Sequence, residues 1–175
     1  MVRIISMVNQ KGGVGKTTTA INLGASLAYH GKKTIIIDLD SQGNATSGLG
    51  IAKRTLEQSS FDMLVEKTPL QDVMLPSGIP KLHLIPSNND LLAAERYLAS
   101  DESGLLQLKR SLSEYLWNVP SQEKAEYIII DCPPSVGHTT INAILASDSV
   151  LIPVQCEFYA LEGLTDIIDS TTLLR

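Results

Sequence analysis

The sequence predicts a doubly wound α/β domain, with a mainly parallel sheet and helices on both of its faces. Three observations carry this expectation. The apolar runs Ile4–Val8, Thr34–Ile37, Tyr127–Ile130 and Val150–Val154 are short, unbroken and rich in β-branched residues, the pattern of strands buried on both sides. Segments of helical periodicity separate them, and strand–helix alternation closes most simply as a doubly wound sheet. A glycine-rich turn, Gln10–Thr18, joins the first run to the first helical segment, where α/β folds hold phosphate.

The elements follow in order. After Ile4–Val8 and the glycine turn, Ala20, Leu23, Gly24, Leu27 and Ala28 repeat at helical spacing, and Gly31 suits the position just past the helix end. The second strand runs Thr34–Ile37. Ser41–Gly50 reads as a loop, as do Pro76–Pro80 and Asn118–Lys124. Leu82–Ile85, interrupted by His83, is a weaker strand. Asn89 or Asp90 can cap a helix bearing Leu91, Ala94, Glu95 and Leu98, and Ser103 can cap another with Leu105, Leu108, Leu112 and Leu116 on one face. Leu161–Arg175 reads as a final helix without a stop signal, so the chain is expected to be one domain over residues 1–175, either cut short at its C-terminus or finishing there.

Composition narrows the classes. Of 175 residues, 43% are apolar and 19% charged, which is globular rather than disordered. A net charge of −5 argues against a chain whose main task is neutralising DNA phosphate. Cys132 and Cys156 are too few and too far apart for a metal cluster or disulfide framework; both are expected to be reduced and buried. Met1–Val8 is too short for a signal peptide, and no stretch approaches bilayer length, so a soluble cytoplasmic chain is expected. His30, His83 and His138 have no Cys or His at ligand spacing, and Trp117 has no basic interleaving that would make a nucleic-acid stacking platform.

The turn itself carries the chemistry. Gly15-Lys16-Thr17 fits the end of the phosphate-binding pattern G-x-x-x-x-G-K-[ST], with Gln10 where the first glycine should be. Gly12, Gly13, Val14, Gly15, Lys16, Thr17 and Thr18, with Lys11 in the turn before them, are therefore expected to form the nucleotide-binding P-loop. Their N–H groups form an anion nest at a helix N-terminus, Lys16 reaches the terminal phosphates and Thr17 Oγ ligates Mg²⁺. Carboxylates are needed at the ends of neighbouring strands. Asp131 ends one such run and suits a Mg²⁺ role, although a strand-end aspartate also serves as a turn or helix cap. Asp38 and Asp40 alternate after the second strand, so one can brace the metal shell while the other faces the attacking water. A helix cap followed by a Gly-Asn turn is the plainer reading of that segment. Pro133-Pro134 stiffens the loop after Asp131, and Gly137 is expected to free it, as in a γ-phosphate switch.

Lys11 alone would read as a solvated charge. Set between Gln10 and two glycines, it resembles the deviant Walker A motif KGGxGK[ST] of the ParA/MinD family of ATPases. Asp38–Asn44 resembles that family's DxDxQGN switch, and Tyr127–Ser135, Thr140–Ala143 and Pro153–Gly163 extend the likeness from Ile4 to about Leu164, in the order found in ParA/Soj-type chromosome and plasmid partitioning ATPases. The resemblance implies catalytic roles for Lys11, Lys16 and Asp40, with Lys11 crossing a dimer interface to the partner's nucleotide. It places Asp38 in support, with Thr17 and Asp131, at the metal. It also implies ATP/ADP and Mg²⁺ as cofactors, slow hydrolysis, an ATP-dependent homodimer, a ParB-like centromere-binding partner, and nucleoid association through non-specific DNA binding. Family members continue past this chain's end, where their DNA-binding residues lie. A MinD-like membrane regulator is the nearest alternative, but Leu161–Arg175 holds Glu162, Asp166 and Asp169 and one cation, not a basic amphipathic face. An ATP-dependent ligase would need a second substrate pocket, and a non-enzymatic scaffold would not need Asp40 and Asp131.

Overall fold

The computed structural model describes residues 2–155. Cys156, the helix expected at Leu161–Arg175 and most of the Pro153–Gly163 segment lie outside the described residues. Six strands, β1 (Arg3–Met7), β2 (Thr34–Asp38), β3 (Leu75–Pro76), β4 (Leu82–Ile85), β5 (Tyr127–Asp131) and β6 (Ser149–Leu151), form one sheet in the order β3-β4-β2-β5-β1-β6. All pairings are parallel except β3 with β4. The helices are α1 (Lys16–Tyr29), α2 (Asn44–Gly48), α3 (Leu70–Val73), α4 (Ala94–Ser100), α5 (Gln107–Asn118) and α6 (His138–Ala146).

Strand alternation distributes the core over both faces. Met7, Ile36, Leu84 and Ile129 pack beneath α1 and α2. Ile35, Ile37, Ile128 and Ile130 face the layer that contains Leu98, Leu108, Leu112 and Ile144 of α4, α5 and α6. The uninterrupted apolar runs are thus explained, because each strand residue meets one helical layer or the other. On α1 the buried stripe is made of small residues, Ala20, Gly24 and Ala28. A Cβ on Gly24 would stand 2.7 Å from Ile36 Cδ1, so the helix lies close on the sheet. Gly31, at φ +85, ends α1 in the left-handed conformation expected of it.

Several boundaries differ from expectation. β1 and β6 each stop before the predicted end; Pro153 has no N–H to give a ladder. β2 and β5 run one residue further, so that Asp38 and Asp131 are themselves strand residues in register with each other. The expected loop Ser41–Gly50 contains α2, and the loop Pro76–Pro80 begins inside β3. The cap of the turn leading into α4 is Asn88, whose side chain accepts from Asp90 N at 3.0 Å, rather than Asn89 or Asp90. Ser103 does not cap with its side chain: its hydroxyl donates to Asp101 at 2.8 Å and accepts from Arg110. A short 3₁₀ turn precedes α5 there, which leaves Leu105 exposed while Leu108 and Leu112 are buried.

Candidate nucleotide-binding site

The site forms where β1, β2 and β5 deliver their carboxyl ends. Gly13 (φ +76) and Gly15 (φ +93) hold the turn in a conformation that side chains resist, and Gly15 is the N-cap of α1 with no side chain capping it. A Cβ on Gly12, Gly13 or Gly15 would meet nothing within 4 Å. The space over these glycines is therefore open, and backbone N–H groups and a helix N-terminus face it. Gly12, Gly13, Gly15, Lys16, Thr17, Thr18, Asp40, Gln42, Asn44 and Pro134 line a cleft of about 590 Å³. Val14 is buried and does not line the cleft.

Lys16 is 7% exposed, and its Nζ donates to Asn9 O at 2.9 Å and Lys11 O at 3.2 Å. Burial lowers its pKa, and Asp131 and Asp40 partly offset this. The ammonium is thus held by carbonyls of its own loop, at the floor of the cleft. Asn9 organises the loop from below: its side chain accepts from Lys11 N at 2.9 Å and donates to Pro153 O at 2.8 Å. Gln155 donates to Gly13 O at 3.1 Å. The chain after β6 is therefore laced to the P-loop. Lys11 itself is exposed on the rim.

The three aspartates diverge. Asp131 is fully buried, and neither carboxylate oxygen has a partner in full hydrogen-bond geometry. Burial pushes its pKa up to about 7; the Thr17 hydroxyl lowers it, Asp38 and Asp40 raise it, and Lys16 lowers it. Asp38, also fully buried, has both oxygens engaged: one accepts from Thr46 N at 2.8 Å and Thr46 Oγ1 at 2.7 Å, the other from Asp40 N at 3.1 Å. Burial still lifts it to about 6. Thr46 Oγ1 in turn accepts from Ser87 N at 2.9 Å, tying the ends of β2 and β4 through α2. Asp40 is half-buried in the cleft wall, and one of its oxygens accepts from Gln42 N at 2.9 Å. The alternation of Asp38 and Asp40 therefore puts one carboxylate into the fold and the other into the cleft.

Gly137 is needed for the space it leaves rather than for its dihedral. Its φ of −94 is open to any residue, but a Cβ there would stand 2.6 Å from both carboxylate oxygens of Glu95. Glu95, on α4, accepts from His138 N at 2.6 Å and from Thr139 N at 3.0 Å, and so caps α6. Sequence reasoning placed Glu95 only on a helix. Local patterns search for a cap within a few residues of the helix start, and this one is 43 positions upstream. Asn9 does leave a local signal, since an Asn before a glycine turn favours side-chain-to-backbone bonding. Cys132 is a buried free thiol whose pKa burial pushes up, which suits packing rather than chemistry. Among the described residues no group of three or more His, Cys, Asp or Glu is placed to hold a metal, and no helix is long and apolar enough to cross a membrane.

This sheet order, loop and aspartate arrangement define a P-loop NTPase fold, and a family model described as an AAA domain matches residues 2–175. Sporulation initiation inhibitor protein Soj of Bacillus subtilis is 50% identical over 175 residues, which is all of this chain and 67% of Soj. Chromosome partitioning protein ParA of Myxococcus xanthus is 45% identical over 173 residues, 99% of this chain and 59% of ParA. Cobyrinic acid a,c-diamide synthase of Mycobacterium smegmatis, solved with bound ADP and magnesium, superposes with a TM-score of 0.90 at 33% identity, over 98% of this chain and 67% of that one. The chain belongs to the ParA/Soj family of partitioning ATPases, and it spans 59–67% of the length of these relatives.

Proposed function

We propose that this chain binds Mg²⁺ with ATP or ADP in the cleft above Gly12–Thr18 and hydrolyses ATP there, as the switch of a chromosome or plasmid partitioning system. One observation carries the reading. Asp131 stands fully buried beside the Thr17 hydroxyl, with neither oxygen in a full hydrogen bond, at the foot of a glycine nest that faces open space. A carboxylate in that state is stabilised by a cation, and Mg²⁺ in such sites rests on one or two carboxylates and the substrate's phosphates. The matching relatives support the class, and the synthase crystallised with ADP and magnesium supports the ligands.

Thr17 Oγ and Asp131 would hold the metal, the latter directly or through water. Asp38, with both oxygens in use, braces Asp40 and α2 behind it. Mg²⁺ held there would supply positive charge that offsets the charge of the nucleotide's phosphates. Lys16 exchanges its contacts with Asn9 O and Lys11 O for the terminal phosphates. Asp40 orients the attacking water from the cleft wall for in-line displacement. Turnover is slow, and among the described residues no arginine lines the cleft to stabilise the transition state. With ATP bound, two subunits close face to face and Lys11 offsets the charge of the partner's nucleotide.

In the intact protein the dimer binds DNA without sequence preference, and a ParB-like partner stimulates hydrolysis, which gives a cytoplasmic, nucleoid-associated switch. The MinD-like alternative is less favoured, since the chain matches Soj and ParA over nearly its full length. Calorimetry with Mg·ADP tests the site. Lys16→Ala should weaken binding at least about tenfold, because a charge-assisted phosphate contact is worth on the order of 1.5–3 kcal/mol. Unchanged affinity in that variant would remove the assignment.

A further inference from the structure

The helix that follows the Asp131 loop does not cap itself. Gly137 occupies the N-cap position of α6 and has no side chain to offer. The first N–H groups of a helix need acceptors, and here they come from another element. The Glu95 carboxylate, on α4, accepts from His138 N at 2.6 Å, Thr139 N at 3.0 Å and Thr139 Oγ1 at 2.5 Å, with His138 Nδ1 3.4 Å away. An anion at a helix N-terminus is favoured by the helix dipole. Burial alone would raise the pKa of Glu95, but the bonds from Thr139 and His138 hold it below the ordinary glutamate value, so it is ionised at neutral pH. The carboxylate fits only because residue 137 lacks a Cβ.

The loop between Asp131 and α6 is thereby clamped at its far end. Thr140 Oγ1 donates to Ser135 O at 2.6 Å, which fastens the same end to the loop backbone. Asn142 ties α6 to the turn before α5, donating to Gly104 O at 2.7 Å and accepting from Leu108 N at 3.0 Å. α6 is thus rigidly seated, and Glu95 sets where its first turn begins. Within that loop Pro134 lines the nucleotide cleft. Glu95 also lies in a smaller cleft with Leu39, Ser41, Pro133 and Ser135, so it stands between the loops that follow β2 and β5.

We propose that Glu95 is a positioning residue for ATP hydrolysis: by capping α6 from α4 it fixes the loop that runs from Asp131 past Pro134 to Gly137 against the nucleotide. The proposal rests on the hydrolysis reading above. Glu95 touches neither nucleotide nor water; it acts through the backbone of α6 and the loop. Misplacing a loop by about an ångström costs an enzyme up to about a hundredfold in rate while leaving most binding contacts in place. Glu95 therefore acts on kcat rather than on nucleotide affinity.

Two substitutions break the same contact from opposite sides. Glu95→Ala removes the carboxylate. Gly137→Ala keeps it but pushes it off α6, because the new Cβ meets the far end of a flexible side chain. In the intact protein, each is expected to lower kcat about tenfold or more while KM for ATP and calorimetric affinity for Mg·ADP stay within about twofold. Hydrogen exchange at the His138 and Thr139 amides should accelerate in both. The double variant should be no slower than Glu95→Ala alone, since the second change removes nothing further. Wild-type kcat in Glu95→Ala, or multiplicative losses in the double variant, would overturn the positioning role and leave the hydrolysis reading standing. A wild-type protein that binds nucleotide without turning it over would overturn the hydrolysis reading itself and the positioning role with it. Should Glu95→Ala fail to fold, Gly137→Ala decides the matter, and normal kcat in that variant with accelerated exchange rejects the proposal.

Discussion

Replacing Asp131 by asparagine should stabilise the ligand-free protein at alkaline pH. Burial pushes the carboxyl up to about 7 in the fold, well above the ordinary aspartate value of about 3.9. The fold therefore binds a proton that the unfolded chain has already released, and stability falls as pH rises from about 4 to about 7. Three pKa units correspond to about 4 kcal/mol of destabilisation once the group is charged. Asparagine removes that charge but leaves a buried amide, whose unpaired groups cost about 1–3 kcal/mol. The net gain at pH 8 is about 1–3 kcal/mol, roughly 2–10 °C in Tm for a domain of this size. Thermal melts followed by circular dichroism at pH 5.5 and pH 8, in chelator and without nucleotide, would read it. Wild type should melt lower at pH 8 than at pH 5.5. Asp131→Asn should lose most of that difference and keep only the part due to Asp38. With Mg·ADP the order should reverse, because the variant forfeits the carboxylate that meets the metal. An Asp131→Asn protein that melts below wild type at pH 8 in chelator would show the buried charge to be well compensated, and the metal argument built on its unsatisfied oxygens would fail.

Asp40→Ala should keep ATP binding and abolish phosphate release, since Asp40 lies in the cleft wall while Asp38 and Asp131 are buried behind it; release at the wild-type rate refutes the role, and loss of binding would move Asp40 to the bracing group. In that non-hydrolysing background, Lys11→Ala should leave ADP binding nearly intact and sharply reduce ATP-dependent dimerisation of the intact protein. A desolvated cation–phosphate contact at an interface is worth about 2–5 kcal/mol. Equal dimer fractions by light scattering would reject the contact across the interface.

The parts of the fold that were legible in the sequence are those with a single local cause. Thr34–Ile37 and Tyr127–Ile130 carry the β-branched, unbroken pattern of strands buried on both faces, and Gly15-Lys16-Thr17 the pattern of a turn between strand and helix. β3 was invisible because two residues, one of them Pro76, hold no period; its pairing with β4 is decided by the turn between them. α2 was hidden for a related reason. Asn44–Gly48 is too short and polar to show an apolar stripe, and it is held by Asp38 accepting from Thr46 across the chain. At the site, residue types and spacing carry the roles proposed for Lys16 and Thr17, but the division of labour among Asp38, Asp40 and Asp131 depends on which carboxylate finds donors. Glu95 shows the limit most clearly, because a cap supplied from another helix leaves no local trace.

The small residues under α1 determine where the phosphates would be held. With Ala20, Gly24 and Ala28 on its lower face, and no room for even a methyl group between Gly24 and Ile36, the helix rests on the sheet at its lowest permitted height. α1 begins at Lys16, so the elevation of the nest above the ends of β1 and β5 is gauged about two turns inside the helix, where nothing touches nucleotide. The loop supplies the donors, while the clearance beneath Gly24 decides how far those donors stand from the Asp131 carboxylate.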